Sequence, residues 1–230
     1  MRQDDEEETD FGSAGYVRRL RRYEAAPAVC ARSGTGASAM DFYSPFGPLI
    51  AKTRLQLDLV ERLNAYADGV AAEQGAPPGE LTLPESFVRE GGEASVASLI
   101  ARRIAQYVGM ADDRDVGRVR FESFWMVSHY PGTFSPVHFH SGDISGILYL
   151  KVPAHIANEA EEEQQSYINA RRAGYITFFI GGKQRFSKSL ISFKPQVGDF
   201  YVFPGWLLHA VEPFLGEGER RSMAFNAFVE

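Results

Sequence analysis

Cysteine is nearly absent from this sequence: one residue, Cys30, in 230. A single thiol cannot close a bridge within the chain, which suits a reducing compartment and leaves the fold to packing and hydrogen bonding. No apolar run approaches the roughly 20 residues that span a bilayer. The opening "MRQDDEEETD" lacks the apolar stretch of a secretory signal. The expectation is a cytoplasmic protein with no membrane partner. Excess positive charge is also missing. A net charge of -6 and a pI near 5.5 argue against nucleic acid as the main partner. Histidine is scarce, with five in the chain.

What is present is apolar and aromatic. Hydrophobic residues make up 44% and aromatics 13%, enough for one domain with a real core. The 22 glycines and 17 phenylalanines suit a β-rich body with many turns. A homodimer is compatible with such a chain.

Residues 1–40 read as a disordered or extended tail. An acidic block, the basic "VRRLRRY" and the small-residue "ARSGTGASAM" bury too little apolar surface to offset ordering entropy of ~1–2 kcal/mol per residue. An arm that docks a partner through Arg18, Arg19, Arg21 and Arg22 is the alternative. Residues 41–230 read as a single domain. Leu59, Leu63, Tyr66 and Val70 follow at helical spacing, which predicts a helix over about 54–74 with Asp58 and Glu61 as a capping box. Val96, Leu99, Ile100, Ile104 and Tyr107 predict a second over 95–108, with Gly109 as its stop.

From Val119 onward the period becomes two. Strands are expected near 119–129, 134–140, 144–152, 174–180, 189–194, 198–203, 206–212 and 220–229, separated by turns such as "YPGT", "IGGK" and "FPGW". The insertion "ANEAEEEQQSYINARRAG" reads as a solvated helix or loop, or else a lid. The fold class is mainly β (α+β): helices packed on one sheet of a sandwich or jelly roll.

The stretch "SPVHFHSGDISGILYL" carries two histidines two residues apart. In a strand such residues face the same way, so His138 and His140 can converge on one ion. In "GDFYVFPGWLLHAVEPF" the alternation sets His209 opposite Glu212, which prefers water, so His209 is expected to face inward. An inward imidazole needs a partner, and a metal would supply one. His129 and His155 lack this context and read as structural or surface residues.

After His209, alternation in the last strand puts Arg220, Ser222, Ala224 and Asn226 on one face. An arginine, small residues and an amide suit a small acid, because the guanidinium fork donates two parallel hydrogen bonds to a carboxylate. A surface Arg220–Arg221 pair is the competing reading.

The stretches "FWMVSHYPGTFSPVHFHSGDISGILYLKVP" and "GDFYVFPGWLLHAVEPFLGEGERRSMAFN" together resemble the 2-oxoglutarate/Fe(II)-dependent oxygenases related to prolyl hydroxylases. The resemblance covers Phe124 to Asn226, and "FGPLIAKTRL" is similar to the opening strand of such proteins. It implies a double-stranded β-helix (jelly roll, cupin-like), Fe(II) as metal and 2-oxoglutarate as cosubstrate. It implies His138 and His209 as ligands and Arg220 as the anchor of the outer carboxylate. The wider superfamily has Asp or Glu two residues after the first histidine, and this chain has His140. Either His140 ligates, which its strand phase favours, or Asp143 reaches back as the carboxylate. Three neutral ligands would leave the full 2+ charge on iron and draw an anion more strongly.

The implied activity is hydroxylation of a C–H bond in an amino acid, peptide or other small molecule. Tyr130, Tyr149, Ser222 and Asn226 are candidates to position the acid. Trp125 and Trp206 are candidates for the substrate mouth, with a packed core as their competing role. Two other classes stay open: a three-histidine cupin-type dioxygenase or isomerase without 2-oxoglutarate, and a non-catalytic β-sandwich binding module.

Overall fold

The computed structural model describes residues 40–43, 47–75, 79–157, 173–182, 185 and 189–230. The tail through residue 39, its arginine arm, and most of the insertion (158–172) lie outside the described residues. The remainder builds two antiparallel sheets. The larger runs β1 (Asp41–Tyr43), β2 (Ile50–Arg54), β9 (Asp199–Pro204), β6 (Ile144–Lys151), β11 (Arg220–Val229), β4 (Val119–His129) and β3 (Glu80–Thr82), in that spatial order. The smaller runs β5 (Ser135–His138), β10 (Leu208–Val211), β7 (Ile176–Phe179) and β8 (Leu190–Phe193).

The larger sheet is apolar on both faces because it is covered on both. Leu148, Phe200, Val202, Met223 and Phe225 pack with the helices. Their alternating neighbours Ile147, Tyr149, Tyr201 and Phe203 pack with Ile176 and Phe178 of the smaller sheet. The period of two in β6, β9 and β11 thus divides each strand between a helical layer and an inter-sheet layer. The site lies in the second.

The two long helices are α1 (Leu57–Gln74) and α3 (Val96–Asp112), with the short α2 (Glu85–Arg89) between them. Leu59, Val60, Leu63 and Ala67 are the buried stripe of α1; Val96, Ile100, Ile104, Tyr107 and Val108 lead that of α3. Two sequence expectations fail at their ends. The capping box does not form: Gln56 precedes α1 without a side-chain cap, and the Asp58 carboxylate takes the Leu59 N–H at 2.8 Å. Gly109 does not stop α3, since the backbone stays helical there. The turn comes at Asp113, in the left-handed region at φ 51°. Between α1 and α2, β3, a strand that no periodicity predicted, joins the sheet edge through Glu80, Leu81 and Thr82. Among the described residues, no helix is long and apolar enough to cross a membrane.

Candidate metal centre

Strands β5 and β10 are antiparallel neighbours, and His138 and His209 are register partners. Directly opposed residues share a face with Cβ atoms about 5 Å apart. The two rings accordingly lie 4.3 Å apart by centroids. Each is fixed by its own backbone: His138 Nδ1 donates to the Pro136 carbonyl at 2.6 Å, and His209 Nδ1 to the Leu207 carbonyl at 2.9 Å. A carbonyl only accepts, so Nδ1 carries the proton. In a neutral ring that leaves the Nε2 lone pair free, as a metal ligand requires.

His140 lies just past β5 and is placed by loop contacts. Its N–H donates to the Gly205 carbonyl at 2.9 Å, and Gly205 N–H donates to the Asp143 carbonyl at 2.9 Å. Glycine is required on both sides of this contact. A Cβ on Gly205 would meet the Gly142 carbonyl, and Gly142 itself sits at φ 87° against the Ala227 backbone. The His140 ring then lies 4.9 Å from His138 and 5.1 Å from His209. One nitrogen from each of the three rings lies within 4.8 Å of the others. Burial pushes His209 down to about 3, with His138 and His140 adding and the Leu207 carbonyl opposing. Burial and then His138 push His140 down to about 4, against Glu122. His140 and His209 are therefore neutral near pH 7 and present lone pairs rather than charge.

Asp143 is engaged elsewhere. Its carboxylate accepts the Val229 N–H at 3.0 Å and its own N–H donates to the Ala227 carbonyl. It ties the loop to β11 and stands outside the three-nitrogen group.

Arg220 is fully buried on the inter-sheet face. Its Nη1 donates to the Gly174 and Glu212 carbonyls at 2.9 and 3.0 Å, while Nε and Nη2 have no hydrogen-bond partner. Among the described residues no carboxylate pairs with it. A buried cation without a counter-ion is costly, and this one suits an anionic ligand. Tyr149, across from Ser222 in β6, is also fully buried with an unpartnered hydroxyl. Burial raises its pKa, with Arg220 opposing and Asp199 adding, so it remains a donor.

The cavity between the sheets is walled by the three histidines, Trp125 and Ser222, among others. The Trp125 ring lies 5.4 Å from His140. Asn226 shares the face of Arg220 but six residues along the strand, roughly 20 Å away at ~3.4 Å per residue, so the two do not meet around one small acid. Tyr130 points to the other side of the sheet, where its electrostatic neighbours are Glu219, Arg221 and Lys151. Trp206 stands exposed in the turn before β10. Arg221 is no surface residue: it is buried and paired with Glu219 at 2.8 Å and Asp68 at 2.7 Å. His155 is exposed on the one-turn α4 (Ala154–Ala157).

His129 is the residue that sequence reasoning missed. It lies in the cavity wall, buried, as the register partner of Arg220. Trp125, Val127 and His129 share one phase of β4, but only the register with Arg220 shows what that phase faces.

Residues 123–226 match the family described as "Putative 2OG-Fe(II) oxygenase". The matched segment carries all three site histidines and Arg220. The donor set fits the iron and keto acid that the family description names: three imidazole nitrogens for a metal, and a buried guanidinium, without a carboxylate partner among the described residues, for a dianionic acid. The fold is the double-stranded β-helix of such enzymes. The 2-oxoglutarate-dependent carbocyclase SnoK of nogalamycin biosynthesis is similar at 14% identity, over 82% of this chain and 81% of that one, with a TM-score of 0.51. A Pseudomonas putida prolyl-4-hydroxylase aligns at 15% identity over 77% of this chain and 91% of its own, TM-score 0.47. A collagen prolyl hydroxylase of Paramecium Bursaria Chlorella virus-1 aligns at 16% over 77% and 94%, TM-score 0.48. No curated protein matches the sequence.

Proposed function

We propose that residues 41–230 form an Fe(II)- and 2-oxoglutarate-dependent hydroxylase acting on a C–H bond of an amino acid, peptide or other small molecule. One observation carries the reading: three imidazole nitrogens within 4.8 Å of one another share an inter-sheet layer with a fully buried, unpaired guanidinium. His138, His140 and His209 would hold the iron, and Arg220 the outer carboxylate of the keto acid. When bound, iron(II) supplies oxygen activation coupled to the oxidation of 2-oxoglutarate to succinate.

The chain's own residues supply placement. The carbonyls of Pro136 and Leu207 lock two ring orientations before metal arrives, so little reorganisation accompanies loading. Three neutral donors leave the metal's charge uncompensated, which favours an anionic cosubstrate. Tyr149 is placed to donate to that anion. Ile147, Ile176, Phe203 and Val211 line the cavity with apolar surface and keep water from it. Trp125, beside His140, is the residue best placed to meet a substrate.

Anaerobic titration of the iron(II) protein with 2-oxoglutarate tests this. A saturable visible charge-transfer band is expected, and its absence at millimolar keto acid would sink the reading. The lack of any carboxylate in the ligand set favours one rival, a three-histidine dioxygenase or isomerase without a keto acid. Turnover that yields no succinate would select it.

A further inference from the structure

We infer that His129 is a second cosubstrate-binding residue: a neutral imidazole that donates from Nδ1 to the carboxylate anchored by Arg220. The inference rests on the 2-oxoglutarate reading above and adds a residue to it.

Four observations carry it. His129 and Arg220 are directly opposed in the β4–β11 ladder, so their side chains leave the same face about 5 Å apart. His129 is 6% exposed and Arg220 0%, so water is a poor partner for either. His129 Nε2 lies 3.1 Å from Ser135 Oγ, while its Nδ1 has no hydrogen-bond partner. Arg220 Nε and Nη2 are in the same condition. Two adjacent buried side chains therefore hold unfilled hydrogen-bonding capacity at one place, and a native fold rarely leaves such groups without a ligand. A carboxylate accepts from both.

Ser135 Oγ sets which nitrogen is available, in competition with the Phe134 carbonyl, which also lies against the ring. When its hydroxyl donates to Nε2, the neutral ring must carry its proton on Nδ1. Nδ1 is then a donor, and Ser135 acts as the positioning residue behind it. Ser135 belongs to the strand that carries His138, so cosubstrate and metal sites share one structural support.

The test is calorimetric titration of anaerobic iron(II) protein with two keto acids. 2-Oxoglutarate has the outer carboxylate; pyruvate chelates iron in the same way but lacks it. His129→Leu should weaken 2-oxoglutarate by roughly ten- to a hundredfold, the cost of one hydrogen bond to a charged group, and leave pyruvate unchanged. His129→Asn keeps an N–H at a similar reach and should stay within about threefold of wild type. Equal 2-oxoglutarate affinity in wild type and His129→Leu overturns the assignment, as does equal weakening of both keto acids. Should His129→Leu fail to fold, Ser135→Ala carries the test: weaker 2-oxoglutarate with unchanged pyruvate supports the assignment, and unchanged affinity for both overturns it. Wild-type protein that loads iron yet binds neither acid refutes the underlying reading, and His129 falls with it.

Discussion

His209 sits directly across from His138 in the β5–β10 pair, and both rings are pinned through Nδ1 to the carbonyl two residues earlier in the chain. The same local device repeated on facing strands orients both Nε2 atoms without help from a distant residue. Two of the three ring orientations therefore depend on two short strands, and the third, that of His140, on the loop held by Gly205.

His209→Ala should abolish iron(II) loading while the sandwich stays folded. The ring packs against Phe178 and Phe203, so truncation also lowers metal-free stability, by about 1–3 kcal/mol. Metal analysis after dialysis and a melting curve separate the effects. Wild type at 100 times its dissociation constant gains about 2.7 kcal/mol from metal; the variant should gain nothing. A metal-dependent rise in its melting temperature would remove His209 from the ligand set.

The choice between His140 and Asp143 is open to a paired substitution. His140→Ala is expected to lower iron affinity by at least tenfold. Asp143→Ala should leave iron binding intact and cost about 1 kcal/mol through the lost Val229 contact. Iron titration of both variants reverses the assignment if Asp143→Ala is the one that fails to load.

Arg220→Met separates binding from stability. The substitution removes the Nη1 hydrogen bonds to the Gly174 and Glu212 carbonyls but also a buried charge without a counter-ion among the described residues, and the two effects oppose each other. The melting temperature without cosubstrate should change little. The cosubstrate should lose about 2–5 kcal/mol of binding, measured by titration. Unchanged 2-oxoglutarate affinity would refute the anchor role.

The sequence reveals most where one periodicity dominates. Alternation put His138 and His140 on one face and Arg220 with Ser222, Ala224 and Asn226 on another, and with Glu212 turned to water it put His209 inward. It said less about His129, whose strand mixes polar and apolar residues in both phases, "VRFESFWMVSH". Only the register with Arg220, a contact between residues far apart in the chain, makes its setting plain. Arg221 was hidden for a related reason. Its partners Asp68 and Asn64 come from α1, and no local pattern encodes a helix–sheet ion pair. Tyr130 follows His129 directly and so falls in the opposite phase, which in a strand is the whole difference between faces.

Glu219 links stability to pH. Its carboxylate accepts from Ser128 Oγ at 2.6 Å and pairs with Arg221 at 2.8 Å and Lys151 at 3.2 Å. Burial alone would raise its pKa, but Ser128, Arg221 and Lys151 together outweigh burial and hold it below the ordinary value of 4.5. A carboxylate depressed in the folded state contributes stability above its unfolded pKa and loses it as pH falls through the folded one. Metal-free protein should therefore weaken progressively below about pH 4.5. Glu219→Gln should be less stable at pH 7 by about 1–3 kcal/mol, with a shallower decline into acid. Urea unfolding at pH 7, 5 and 3.5 measures both. Because Glu219 and Arg221 flank Arg220 in sequence, the variant should also loosen the strand end that aims the guanidinium, raising the 2-oxoglutarate dissociation constant. Parallel acid profiles for variant and wild type would show that the pair is not coupled to folding.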